Sequence, residues 1–184
     1  MNFRKLNADE IEVRIQSVKE KGLILLLYKD ARADQRILDE TVGNMNWQRH
    51  HTRENKNCIV SIWDTEKKQW IEKEDTGVES NTEKEKGLAS DSFKRACFNW
   101  GIGRELYTSP FIWVNAKDVN IQPDGKDNRG RPKFKCFDKF EVEKITYDEK
   151  GNIDGLSIKK VNGNRVFVQT PKPTKNKDKS NDTK

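Results

Sequence analysis

Long hydrophobic runs are missing from this chain. None approaches the roughly 20 residues of a membrane-spanning helix, and the longest, Leu23 to Leu27, suits a strand or a short helical segment. No membrane partner is expected. The start, Met-Asn-Phe-Arg-Lys-Leu-Asn, lacks the apolar stretch of a secretory signal, so a cytoplasmic location is expected. Cysteine is scarce: Cys58, Cys97 and Cys136 lie far apart, outside metal-ligand spacing, and read as free thiols. Histidine is limited to the adjacent pair His50-His51, which on a strand would face opposite sides. No metal site is expected. There is no P-loop pattern, no Gly-x-Ser-x-Gly and no His-Glu-x-x-His, so neither enzymatic activity nor a cofactor is expected. One enzymatic alternative stays open, a metal-dependent nuclease assembled from scattered acids such as Asp64, Glu72 and Asp75.

What is present is charge. Of the 184 residues 36% are charged and 33% hydrophobic, a lean core for the length. That implies either an unstructured portion or apolar surface shared between subunits. The net charge is +6. Residues 171–184 hold five lysines against two aspartates and no large apolar residue, which reads as a disordered tail of charge +3. The other residues, 1–170, read as one domain that also carries +3, so any anion site must come from local clustering.

Along that domain, Asn7-Ala-Asp-Glu has the spacing of a capping box, and Glu12 to Val18 fits helix or strand. Ala31, Ala33, Ile37, Leu38 and Val42 predict a helix over 29–41 that ends at Gly43-Asn44. Trp47–Thr52, Cys58–Thr65 and Gln69–Val78 read as three strands joined by hairpin-length turns, an antiparallel meander. Thr82-Glu-Lys-Glu is a second capping box. The stripe Leu88, Ala89, Phe93, Ala96, Cys97 and Trp100 predicts a long helix stopped by Gly101 and Gly103. Phe111 to Val114 is a short apolar run. Residues 123–133 read as a loop, 139–147 and 156–161 as a hairpin, and 165–169 as a further extended segment.

Basic residues lie beside aromatics, the combination a single-stranded nucleic-acid site needs for phosphates and bases. Trp47, Arg49, His51 and Arg53 alternate onto one face of the first meander strand, a pattern equally suited to a solvated face with an anchoring tryptophan. Lys94 and Arg95 adjoin on the long helix, where composition alone favours the solvated outer face of an amphipathic helix, and Arg104 follows it before Tyr107. Arg129, Arg131, Lys133 and Lys135 form a basic run suited to backbone phosphates and equally to a soluble loop.

The order of residues carries a further signal. Tyr28-Lys-Asp-Ala-Arg-Ala with Ile37-Leu-Asp-Glu-Thr-Val-Gly-Asn-Met-Asn-Trp47, and then Asp75-Thr-Gly-Val with Lys86-Gly-Leu-Ala-Ser-Asp-Ser-Phe-Lys-Arg-Ala, resemble two blocks of the Rad-type single-strand annealing proteins. These are the eukaryotic double-strand-break repair annealing protein and its phage-encoded, Sak-like relatives; the compact length and lysine-rich tail are more similar to the phage form. The resemblance spans residues 23–107. It implies an α+β fold with a β-β-β-α core, assembled into a homo-oligomeric ring, and ATP-independent binding and annealing of single-stranded DNA in recombination and repair. The setting would then be the host bacterial cytoplasm. It implies that Lys94 and Arg95 line the DNA groove, with Arg32 on the preceding helix as the nearest match to a family arginine. A third groove arginine of the family is replaced here by Phe98. A second, outer site for double-stranded DNA would fall on the Arg129–Lys135 run. A non-annealing single-strand protector, OB-like in kind, is the alternative.

Overall fold

The computed structural model describes residues 1–78 and 84–171, with the backbone alone for 84–86. The tail from residue 172 on and the start of the second capping box, residues 82–83, therefore lie outside the described residues. The segment after Asn7 resolves to extended chain. Ile11 is buried and Val13 and Ile15 are partly buried, whereas Glu12, Arg14 and Gln16 are exposed. Period-two burial is that of a half-covered strand. This strand, β1 (Ile11–Lys19), turns at Glu20-Lys21 into β2 (Gly22–Lys29), which pairs with it antiparallel around a register shift between Ile15 and Ser17. Ahead of β1, Glu10 Oε2 accepts from the Asn7 N–H at 2.9 Å, as the capping-box spacing requires, but the helix is one 3₁₀ turn, Ala8–Glu10. Glu10 is buried. Arg4 and Arg36 donate to it, and the hydrogen bonds from Arg4 hold its carboxyl below the usual carboxylate range.

Helix α1 (Ala31–Val42) opens with Asp30, whose carboxylate accepts from the Arg32 N–H, and closes at Gly43 with φ 82°. Ala33, Asp34, Ile37 and Leu38 are its buried positions. Three antiparallel strands follow, β3 (Trp47–Thr52), β4 (Asn57–Asp64) and β5 (Gln69–Thr76), and then α2 (Lys84–Trp100), which packs across β4 and β5. Leu88, Phe93, Ala96 and Cys97 are buried on its inner face, so the helical stripe read from sequence is the packed one.

The sheet architecture corrects one expectation. The β-β-β-α unit forms, but the molecule is not built around it. The largest sheet has six strands and includes β6 (Ile112–Asn115), β9 (Phe140–Tyr147), β10 (Ile153–Lys160) and β11 (Arg165–Gln169). Its order is β11-β10-β9-β1-β2-β6, every neighbour antiparallel, and its end strands β11 and β6 approach each other in a nearly closed, barrel-like curl. The reason lies outside the meander: the N-terminal hairpin pairs with β9, which follows it by more than a hundred residues. The six- and three-stranded sheets and both helices share one hydrophobic core, from Leu6, Leu23 and Leu25 to Ile37, Phe93, Ile112 and Ile158. One end of that core is sealed by Glu105, buried, which accepts from the Leu6 N–H at 2.7 Å and has the Lys5 ammonium 3.6 Å away, while the Tyr147 hydroxyl donates to the Leu6 carbonyl at 2.7 Å.

A second correction concerns residues 123–133. Most of that stretch is a two-stranded ribbon, β7 (Ile121–Lys126) and β8 (Pro132–Cys136), closed by a five-residue turn. Asp127 makes the turn: its Oδ1 accepts from the N–H groups of Arg129 and Arg131 and its N–H bonds the Arg131 carbonyl, with Gly130 at φ 73°. Gly and Pro marked the turn, and the flanking strands carried too little apolar pattern to be read.

Gly77 joins β5 to the approach of α2. A Cβ there would stand 2.7 Å from the Ser92 nitrogen and 2.9 Å from the Leu88 carbonyl oxygen, both backbone atoms of α2. Gly77→Ala is expected to force helix and sheet apart and to cost about 1–3 kcal/mol, as overpacking does. Denaturant unfolding would check it; a loss below about 0.5 kcal/mol would show that the contact yields freely.

Candidate nucleic-acid interface

Helix α2 sets the geometry. Three and four residues apart share a face, so burying Phe93, Ala96 and Cys97 leaves Asp91, Lys94, Arg95 and Phe98 toward the N-terminal hairpin. There they meet the end of β2 and the 3₁₀ segment Arg104–Thr108 and enclose a cleft of ≈ 210 Å³. Leu27, Tyr28, Lys29, Leu106 and Tyr107 complete its walls. Lys94 is partly exposed, and the Arg95 side chain is 39% exposed. Arg95 Nε donates to Asp91 at 3.0 Å, and the same carboxylate oxygen accepts from the Val78 N–H at 2.9 Å, so β5's exit, the helix and the arginine are tied together. Asp91 thereby raises the Arg95 pKa.

Lys29 forms the floor. Its side chain is almost wholly buried, paired with Asp34 of α1, donating to the Ile102 carbonyl at 2.9 Å, and lying 4.0 Å from the Phe98 ring centre. Gly103, at φ 77°, is required here, because a Cβ would stand 2.7 Å from Lys29 Cδ. Burial pushes the Asp34 carboxyl up and Lys29 pulls it back, with Lys94 adding to the pull. One Asp34 oxygen, Oδ2, has no hydrogen-bond partner.

The expected site residues separate into groups. Arg32 is joined to this region through Asp30: its guanidinium is 2.8 Å from that carboxylate, which Lys94 also stabilises. Arg32, Lys94 and Arg95 thus gather at one side of the molecule. Trp47, Arg49 and His51 do share one face of β3, pairing with Ile62, Val60 and Cys58, but that face lies under α2. The Trp47 ring stacks on Phe93 with centroids 6.2 Å apart, and its Nε1 donates to Asp39 at 2.7 Å. The exposed Arg49 has its guanidinium 4.7 Å from the Phe93 ring centre, and the Ser92 hydroxyl lies 3.4 Å from His51 Nδ1. Burial lowers the His51 pKa. Trp47 is therefore an anchor rather than an open stacking platform. Arg53 leaves the alternation altogether, in a turn with φ 50°.

Arg104 caps α2, its Nε 2.6 Å from the Phe98 carbonyl and its Nη2 2.8 Å from that of Asn99. Such carbonyls are the orphan acceptors of a helix end. Arg129, Arg131 and Lys133 sit on the β7–β8 ribbon, away from the cleft; Arg131 pairs with Asp127 at 2.7 Å and Lys133 with Asp124 at 3.8 Å. The nuclease set does not converge: Glu72 hydrogen-bonds Ser61 on the open face of the meander, and Asp75 pairs with Cys58 on the helix-covered face. Among the described residues no group of three or more His, Cys, Asp or Glu side chains could hold a metal, and no helix is long and apolar enough to cross a membrane.

Tyr28 and Phe98 join the cleft without having been expected as ligand contacts, and Tyr107, which the sequence sets beside Arg104, joins them. The Tyr107 ring is 72% exposed and packs obliquely on Phe98 at 4.9 Å; Tyr28 is 36% exposed, with the Arg14 guanidinium 5.0 Å from its ring centre. Outward alternation on β2 was the available signal for Tyr28. Comparisons with protein-family models, with curated proteins and with solved structures find no match.

Proposed function

We propose that the protein binds single-stranded DNA through the α2 cleft and anneals complementary strands without ATP, in recombination and repair, as Sak-like phage proteins do. The observation that carries this reading is the placing of Lys94 and Arg95, side by side on a helix locked to the core, at a cleft walled by aromatic rings. Cations on a rigid element hold phosphates without reading sequence, which leaves base edges available for pairing. The second of the two blocks of residue order that resemble the annealing proteins contains this same pair.

A single protomer offers few cations, and a multimer would repeat them along a strand. The three-stranded sheet supports head-to-tail association of copies. Its β3 edge carries Arg49, His50 and His51 and no acid, whereas its β5 edge carries Glu72, Glu74 and Asp75 against Lys73. Neither edge has a strand neighbour among the described residues. Opposite charge on opposite edges favours a heterologous contact, which closes into a ring if the rotation permits.

The test is to mix the protein, without nucleotide, with two complementary labelled oligonucleotides and follow duplex formation by fluorescence. Acceleration well above the spontaneous rate is expected. Tight binding with no acceleration would replace annealing by protection of single strands, the reading that the aromatic walls alone would suit.

A further inference from the structure

We propose that the cleft between β2, α2 and the Arg104–Thr108 segment is a nucleobase pocket: one base of a bound strand stacks on Tyr107 while Lys94 and Arg95 hold the adjacent phosphate. This rests on the reading that the pair binds phosphates, and it adds that each protomer grips one base by its ring.

Three observations carry it. The site is concave rather than a flat basic track, and its ≈ 210 Å³ is below the ~300–1,000 Å³ that enclose drug-sized ligands. It has room for one planar ring system and not for a base pair. Second, its aromatic wall is pre-set. Lys29 lies on Phe98 at 4.0 Å, Phe98 supports Tyr107 at 4.9 Å, and Tyr107 keeps 72% of its surface open. A large aromatic side chain backed by a half-buried ring and otherwise uncovered is a stacking platform, since every base has a π-face. Third, the partly exposed cations Lys94 and Arg95 line the same cleft as Tyr107, while the buried lysine is fully engaged with Asp34 and the Ile102 carbonyl. One site therefore offers both a ring and accessible positive charge, the two things a nucleotide's base and phosphate require.

A base with a neighbouring phosphate occurs in a polymer and in a free nucleotide, and the test separates them. The full-length protein is titrated with oligothymidylate, with an abasic strand of equal length and with thymidine monophosphate as competitor. Wild type is expected to prefer oligothymidylate to the abasic strand by roughly ten-fold or more, the scale of one lost base stack. Tyr107→Ala is expected to abolish that preference and leave abasic affinity unchanged; Tyr107→Phe is expected to retain it, because the ring and not the hydroxyl does the stacking. Lys94→Ala with Arg95→Ala is expected to weaken both strands alike. Competition by the monophosphate would assign the pocket to free nucleotides as well, and its failure beside a base preference would assign it to the strand. Equal affinity of wild type for both strands, or equal weakening of both by Tyr107→Ala, would overturn the pocket while keeping the phosphate track. Failure of either strand to bind wild type at low salt would overturn the function and the pocket together.

Discussion

Replacing Lys94 and Arg95 together by alanine is expected to abolish acceleration of annealing and to weaken single-strand binding at least about ten-fold at low salt, with a shallower salt dependence. Two phosphate contacts on a single strand contribute about 1.4 to the slope of log affinity against log salt, so the slope should fall by roughly that amount per bound protomer. Folding should survive. The buried face of α2, from Phe93 to Cys97, is untouched, and the lost Arg95–Asp91 pair is a part-exposed helical i,i+4 contact of about 0.3–0.5 kcal/mol. Circular dichroism and thermal unfolding would confirm an intact fold. An unchanged slope with unchanged affinity would remove the pair from the interface and leave the function without its main support.

The second large effect is structural. Lys29→Met is expected to cost about 3–5 kcal/mol near neutral pH, the usual result of stripping the partner from a buried charge. Methionine keeps the length of the stem against Gly103 and Phe98, so the loss reports charge rather than volume. The pH dependence identifies the mechanism. Burial already pushes the Asp34 carboxyl above its ordinary value, and removing Lys29 removes the largest opposing influence. A raised carboxyl pKa gives a stability contribution that is complete below the unfolded value and is lost as pH rises through the folded one. The deficit of the variant should therefore be smaller near pH 5 and larger near pH 8, measured by denaturant unfolding against wild type. Adding Asp34→Asn should flatten that dependence. Lys94 and Asp30 also face this carboxyl and act alike in both proteins. A deficit that does not change with pH would show that Lys29 stabilises by packing and by its bond to the Ile102 carbonyl instead.

How far the sequence could be read follows contact distance. The three meander strands were legible because short turns force neighbours to pair, and α2 because its apolar stripe holds one period. β1 remained open between helix and strand, since Val13, Ile15 and Val18 fit either period when the partner is unknown. The six-stranded sheet could not be assembled: nothing local in β1 says that its neighbour is Phe140 and Glu141. The site divides in the same way. Adjacent Lys94 and Arg95 announce themselves on one helical face. Trp47 and Arg104 look like ligand contacts until their partners, Asp39 and the helix-end carbonyls, are seen. A lone tyrosine in a strand carries no mark of exposure, so Tyr28 emerged only with the fold, and Tyr107, already noted beside Arg104, gained its place at the cleft there.

The ties of Leu6 to Glu105 and Tyr147 span 99 and 141 residues of chain. Contacts of that separation are slow to form, because the loop entropy is lost before they reward it. During synthesis the β3–β4–β5–α2 block can close on itself from local pairs alone. The N-terminal hairpin, released first, must wait for β9 before it has a neighbour on its outer side. Tyr28 rides on that hairpin and Lys94 and Arg95 on the local block, so the two walls of the cleft come from parts that fold on different schedules, and the wall facing the cations is locked in place only once β9 has paired with β1.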